Sequence, residues 1–351
     1  MNIAAHHAPP WTSNLRMAVL GTGLALPGEP VSTEALIALI GSGFGIASER
    51  EATAVAQRLG IHSRHVCRDF AQRQEPARGG DSNPDLAARA VRAALANAGV
   101  AINDIGFLIG HTTTPCQPLP ANIAHVADRL GYSGPHIELR QACAGFANAL
   151  MIAVGLLGAA DARPVVIVGS ETGSLFFDPL RLTEDRGQIV NMVQMGDGAG
   201  AIVLGPAAPQ GPALEAAWIG SIGLGRAPGI QQQHGTLEFA HDFAEILKSG
   251  PQLFDADVTT ATLLGHPPGE ADFIIPHQVS GRVRGQAATH LKIAPERIFV
   301  NADRLGNCGS AAIWIALAEL RSASLAQGAR VLALGAEASK FIYGGFAYVH
   351  G

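Results

Sequence analysis

A chain of 351 residues, 48% hydrophobic and only 15% charged, can bury a substantial core as one large or two medium domains. Its net charge of -5 argues against a nucleic-acid binder, which needs a basic surface to neutralise phosphates, so an acidic partner would have to dock on a local basic patch. Four cysteines (Cys67, Cys116, Cys143 and Cys308) are too few for a disulfide scaffold and fit a reducing cytosol, while 42 Gly and 21 Pro without a collagen-like period mark turns between many short elements.

Residues 1–15 hold no Lys or Arg and no continuous apolar run, so they make no secretory signal, and residues 1–16 read as a loose extension. Met17-Ala18-Val19-Leu20-Gly21 opens as a strand. Gly21-x-Gly23 hints at dinucleotide binding, but Pro27 sits where the following helix should begin, and the motif is set aside. From His62 to Pro84 the chain is polar, with Arg64, Arg68, Arg73 and Arg78 beside Gly79-Gly80, and reads as a loop or excursion. His6-His7 and His62-x-x-His65 lack an acidic or Cys partner for a metal and read as surface histidines. Alanine-rich periodicity from Asp85 to Ala98 predicts a helix closed by Gly99.

Uncharged Ala142 to Ala160 would pass a hydropathy filter for a membrane span. Cys143, Gly145, Asn148, Gly155 and Gly158 interrupt it and strand-like Val165–Val168 follows, so a helix buried on all sides fits better. Gly196-Asp197-Gly198-Ala199-Gly200 lacks the Lys and the following helix of a phosphate loop and reads as a tight turn into a buried strand. Pro and Gly cluster from Pro206 to Pro212, and periodicity is weak from Gly211 to Pro268. A helix is predicted from Ala311 to Ala323, and Gly344 to Val349 is the counterpart of the strand after the Gly196 turn.

One pattern is written twice. Phe107-Leu108-Ile109-Gly110-His111 is followed by Cys143, 32 residues beyond the His, and by a strand ending Gly169-Ser170-Glu171. Phe273-Ile274-Ile275-Pro276-His277 is followed by Asn307-Cys308, with the Cys 31 residues beyond, and by a strand ending Gly335-Ala336-Glu337. A period near 166 residues is too long for a solenoid and fits two similar halves packed face to face, residues 17–205 and 206–351. Each alternates strands with helices, which predicts five mostly buried strands apiece in a five-layer α/β stack.

Cys143 stands where strand-like Ile137-Glu138-Leu139 gives way to the long buried helix, so unpaired N–H groups and the positive dipole end favour its thiolate. Buried cysteine otherwise behaves as a small hydrophobe. His277 ends a strand, where ligands of α/β proteins gather, and Asn307 precedes a helix, where its ordinary role is a cap or turn. Duplication brings equivalent corners of the halves together, so one supplies a nucleophile and the other two neutral hydrogen-bond donors, a set suited to an enolate.

Gln141-Ala142-Cys143-Ala144-Gly145-Phe146, Ile275-Pro276-His277-Gln278, Gly306-Asn307 and Gly344-Gly345-Phe346 resemble, in order and spacing, the β-ketoacyl-acyl-carrier-protein synthase III family of the thiolase fold. Met195 to Ala201 and Arg58-x-Gly60-Ile61-x-x-Arg64 add to the likeness, which covers almost everything from Met17 onward. The resemblance implies a five-layer α-β-α-β-α homodimeric cytoplasmic enzyme whose subunits pair their central sheets. Cys143 would take an acyl group from acyl-CoA, with the N–H groups of Cys143 and Gly344 as oxyanion hole. Malonyl-acyl carrier protein or malonyl-CoA would then lose carbon dioxide while His277 and Asn307 stabilise the enolate, and the carbanion would attack the acyl-cysteine. Neither metal nor organic cofactor is expected, coenzyme A entering only as substrate thioester. Arg58, Arg186 and Arg282 would meet carrier phosphates, and Leu119, Gly345 and Phe346 would line substrate. Ala54 replaces a usual adenine-stacking Trp, Ser280 a usual Asn, and Leu119 the common Phe that reaches toward the partner's acyl tunnel; a polar insertion lies around Ala71 to Gly80. These departures leave room for a specialised acyl chain and for secondary as well as fatty-acid metabolism.

Cys, His and Asn in that order is also the papain arrangement, but the papain Cys context is absent and a protease predicts no repeat. Gln141-Ala142-Cys143 is broken as a caspase signature by Ala144. A degradative thiolase would need a second Cys near Gly344-Gly345, and a hydroxymethylglutaryl-CoA-type synthase a carboxylate base that no motif in the sequence places. Acyl transfer to an alcohol or amine, and a non-catalytic acyl-carrier-binding paralogue, stay open.

Overall fold

The structure is a computed structural model that describes residues 8–73, 81–232, 239–323 and 325–351. Residues 1–7 of the expected extension, with His6-His7, and residues 74–80 of the polar excursion, with Arg78, lie outside the described residues. In chain order the first half comprises β1 (Trp11–Ser13), β2 (Met17–Ala25), β3 (Val31–Ser32), α1 (Thr33–Phe44), α2 (Glu49–Leu59), β4 (Ser63–Arg64), α3 (Asn83–Ala98), β5 (Phe107–His111), α4 (Asn122–Leu130), β6 (His136–Leu139), α5 (Gly145–Leu157), β7 (Val165–Glu171), α6 (Gly173–Phe176), α7 (Gln188–Gln194) and β8 (Gly198–Gly205). The second comprises β9 (Ala213–Ser221), β10 (Ile230–Gln232), β11 (Phe239–His241), α8 (Phe243–Leu263), β12 (Phe273–Pro276), α9 (Val283–Leu291), α10 (Ala302–Leu305), α11 (Ala312–Ser322), β13 (Arg330–Glu337) and β14 (Ile342–Val349).

Strand pairing repeats the sequence duplication. The first half runs β2-β8-β7-β5-β6, with β7, β5 and β6 mutually parallel and β8 antiparallel to both its neighbours. The second runs β9-β14-β13-β12 with the same senses, β12 parallel to β13 and β14 antiparallel to both neighbours. Where a fifth strand was expected, Ile274 and Ile298 make only an isolated parallel bridge. The two sets are also not separate: Met17↔Leu214 and Ala18↔Ala213 join them, and with β1 paired to β9 they form one ten-stranded sheet. Residues 11–13 of the presumed loose extension are therefore a sheet strand.

Five layers follow from what each helix touches. α3 packs on β2, β8 and β7, and α8 on β13 and β14; α5 and α11 lie between and touch strands of both halves. That central position explains why α5 is uncharged along its length, since helices and strands buried on every face read as continuous apolar runs. The shared core joins Phe146 of α5, Trp314 of α11 and Phe346 of β14: Trp314 and Phe346 stack with centroids 5.6 Å apart, and Phe146 meets both edge-on at 5.8 and 5.9 Å.

The polar excursion is less exposed than its composition suggests. Ser63–Arg64 pairs with Val31–Ser32, and Arg64 is fully buried, donating to Thr33 Oγ1 at 2.7 Å and to the Val193 carbonyl at 2.5 Å. Arg68 lies over the rings of Phe44 and Phe70. In the Gly196 turn, Asp197 is buried and accepts the amides of Cys67 at 2.6 Å and Ser174 at 3.0 Å, so it pins three segments together rather than serving a phosphate.

Candidate active site

Parallel β6 delivers the chain to a turn whose end is the start of α5, and Cys143 sits in that turn, half-buried. It opens onto a cavity of about 250 Å³ whose wall also includes Asn307, Glu171, Gln194, Phe176 and Ser339. Burial drives the thiol well above its ordinary value, the Glu337 and Glu171 carboxylates push the same way, and its own amide pulls weakly against them. The thiolate favoured by a helix start is thus outweighed here: the resting group is a thiol.

Asn307 lines the same cavity from the other half. Its Oδ1 accepts the Gly309 amide at 2.9 Å, which leaves the NH2 end as donor. Its main chain is stitched to the end of α7, Asn307 N–H donating to Gln194 O at 2.7 Å and Gly196 N–H to Asn307 O at 3.2 Å. Gln194 also donates from Nε2 to Val279 O at 2.8 Å, so one residue ties the Asn307 turn to the loop after β12 that carries His277. Gln278, fully buried, fixes that loop by donating to Pro276 O at 2.7 Å and accepting the Asn301 amide at 2.9 Å. His277 itself is not among the cavity-lining residues, although its Nδ1 is buried and has no hydrogen-bond partner among the described residues. Burial lowers its pKa to about 4, so the imidazole is neutral at pH 7.

Glu171 and Glu337, each the last residue of its strand, are functional candidates that the motif reading passed over, although both repeats end on them. Each is buried, and both raise the Cys143 thiol. Burial raises the Glu337 carboxyl. Asp178, Gln188, Asn191 and Arg181 complete a polar wall that no motif announced.

Other expected site residues lie elsewhere. Gly344 and Gly345 are mid-strand in β14, paired to β13 and β9 on either side, and Phe346 is core. A Cβ on Gly344 would meet Ala147 of α5 at 2.6 Å, so this glycine admits the helix rather than a ligand, and the oxyanion-hole and lining roles expected of 344–346 do not match their positions. The residue of the β13–β14 turn that reaches the cavity is Ser339. Arg58 and Arg282 share an open groove with Gln286 and His290. Arg186 is apart from them, ion-paired to Glu51 of α2. Leu119 is 85% exposed and away from this cavity. Among the described residues no three His, Cys, Asp or Glu side chains cluster as a metal site, and no described helix is long and apolar enough to cross a membrane.

Comparison with known proteins agrees with this geometry. The sequence profile described as 3-oxoacyl-[acyl-carrier-protein] synthase III matches residues 137–222, and the profile for the C-terminal part of the same enzymes matches residues 264–345. A β-ketoacyl-[acyl-carrier-protein] synthase III of Rhodospirillum centenum is 30% identical over 342 residues, which cover 94% of this chain and 98% of the relative. Among solved structures, AbyA1, a tetronic acid condensing enzyme, is similar with a TM-score of 0.82 at 29% identity over 95% of this chain and 100% of its own. A 3-oxoacyl-(acyl carrier protein) synthase III of Pseudomonas aeruginosa superposes with a TM-score of 0.78 at 26% identity over 96% and 98%.

Proposed function

The chain belongs to the 3-oxoacyl-[acyl-carrier-protein] synthase III family of condensing acyltransferases, and from that premise we propose that Cys143 carries the acyl group while His277 and Asn307 serve a decarboxylating extender. The observation that carries this reading is the single cavity onto which Cys143 of one half and Asn307 of the other both open. Cys143 Sγ attacks the acyl-CoA carbonyl, its proton leaves with the CoA thiol, and a thioester forms. A malonyl thioester, on carrier protein or CoA, then loses carbon dioxide. Neutral His277 and the Asn307 NH2 donate to the enolate oxygen, the carbanion attacks the acyl-cysteine, and a 3-oxoacyl thioester departs. The substrate thioester acidifies the carbon, so no cofactor enters the scheme.

Arg58 and Arg282, side by side at an open groove, suit the phosphates of CoA or a carrier protein, whereas the ion pair to Glu51 makes Arg186 a weaker candidate. A cavity of about 250 Å³ lies below the roughly 300–1,000 Å³ usual for ligand sites and favours a short acyl donor. Homodimer formation is supported by β6, which ends the sheet with an open edge, and by exposed Leu119 and Ile137. A cytoplasmic setting is supported by four free cysteines.

Acyl-CoAs of graded length, incubated with the protein and followed by intact mass, test the assignment. Short donors should add one acyl group to the wild type and none to Cys143→Ala, while Asn307→Ala should load normally and lose malonyl decarboxylation by about 10²–10³-fold. Loading that survives Cys143→Ala overturns the nucleophile; no adduct from any donor leaves a non-catalytic acyl-carrier-binding protein. Asp178, Gln188 and Asn191 on the cavity wall favour one second reading, a specialised acyl transfer in which the donor or an alcohol or amine acceptor presents polar groups, as in secondary metabolism.

A further inference from the structure

β7 ends at Glu171 and β13 at Glu337, and these carboxylates are 4% and 3% exposed. Glu337 Oε2 accepts the N–H of Ala144, next to Cys143, at 3.1 Å. Glu171 Oε1 accepts the N–H of Ser310, in the turn that begins at Asn307, at 3.3 Å, and lies 2.5 Å from the Ser310 hydroxyl. Residues 144 and 310, like residues 171 and 337, stand one 166-residue period apart, so the same contact is made twice. Each copy crosses the boundary between the halves.

Neither N-cap residue offers a capping side chain: Ala144 caps α5, and Cys308 caps the short turn that leads into α11, where Asn307 Oδ1 takes the Gly309 amide but not that of Ser310. Unpaired N–H groups there call for an acceptor, and each strand end supplies one from the opposite half. We propose that Glu337 is the positioning residue for Cys143 and Glu171 the positioning residue for Asn307, each carboxylate holding the reactive turn of the other half. This inference rests on the condensing assignment above. Glu171 also accepts Thr113 N–H at 3.0 Å, Thr113 Oγ1 at 2.9 Å and Thr114 Oγ1, so it ties the segment after β5 to the Asn307 turn as well. Glu337 accepts the Ser339 hydroxyl as well, which binds the β13–β14 turn to the Cys143 turn beside the cavity.

The charged groups facing the thiol are these two carboxylates, with Arg140, Asp178 and Arg181 farther along the cavity wall and the histidines of β5 and the β12 loop neutral. Removing either buried charge therefore eases ionisation of Cys143; because rehydration of the thiol in a loosened fold would do the same, the alkylation midpoint is read only in variants whose urea midpoint matches the wild type.

The test separates two half-reactions in wild type, Cys143→Ser, Glu337→Ala, Glu337→Gln, Glu171→Ala and Glu171→Gln. Acetylation by acetyl-CoA is timed by intact mass, and carbon dioxide release from malonyl-CoA is timed on enzyme acetylated beforehand. Glu337→Ala should slow acetylation at least tenfold and leave decarboxylation within threefold; Glu171→Ala should do the reverse. Glu337→Gln, which keeps an acceptor oxygen, should restore acetylation to within threefold, and both Gln variants should lower the pH midpoint of Cys143 alkylation by iodoacetamide. Equal losses in both half-reactions, or no loss in either, overturn the inference. If the Ala variants do not fold, an unchanged alkylation midpoint in both Gln variants overturns it, and a lowered one supports it. A wild type that takes no acetyl group at Cys143 instead brings down the condensing assignment itself.

Discussion

His277 and His111 occupy equivalent strand ends and are both kept neutral by burial, the first with a pKa near 4 and the second near 3. Trp314 Nε1 donates to His111 Nε2 at 3.0 Å, so that copy has become a core residue, and among the described residues the Nδ1 of both rings is buried without a partner. Both folded values lie below the unfolded value of about 6.5, so the unfolded chain binds more protons in between. Stability is complete above pH 6.5 and is lost as the pH falls toward 4 and then 3, by on the order of several kcal/mol for the pair. Urea unfolding at pH 7, 5.5 and 4.5 should show the decline. Condensation, by contrast, should show no inflection in kcat/KM near 6.5; an acid limb there would mean that His277 titrates normally and is not buried as described. Cys143 and Asn307, which the structure brings to one cavity, and His277, which it leaves off the cavity wall, each sit in a motif at a strand or helix boundary. The packing of Gly344 against α5 was not legible because a glycine pair looks the same whether it admits a ligand or a neighbouring helix, and the burial of Arg64 was not because a charge in a polar run does not reveal the hydroxyl and the carbonyl that will hold it.

Gly21 and Gly23 of β2 show why a glycine motif was correctly set aside. A Cβ on either would collide with the backbone of α3 around Ala94, so the spacing serves close helix-to-strand contact. Gly23→Ala should therefore lower stability by about 1–3 kcal/mol through overpacking, read as a lower urea midpoint with an unchanged slope, and a neutral result would mean that α3 does not sit where it does here. The repeat made β5, β7, β12 and β13 legible, since an apolar run recurring in register is a stronger signal than propensity at one place. What the pattern could not reveal was truncation: the fifth strand of the second half keeps three apolar residues, Ile298 to Val300, and shrinks to one bridge. Trp11–Ser13 was missed for a related reason, since three residues carry no alternation to detect.

At the scale of the whole molecule, β6 pairs among the described residues only with β5 and leaves an edge beside exposed Ile137. Open edges invite pairing with a second chain unless charge or cover prevents it. Sedimentation should find a dimer for the wild type and a shift toward monomer for Ile137→Lys, with the circular dichroism unchanged; a wild-type monomer at micromolar concentration would refute the pairing. The position of β14 between β9 and β13 has a consequence for biogenesis. It is the last of these strands to leave the ribosome, yet both neighbours must wait for it, and the aromatic trio around Trp314 lacks Phe346 until it docks. Until β14 emerges the nascent chain therefore carries an unfinished apolar seam, the kind of exposed surface that favours aggregation.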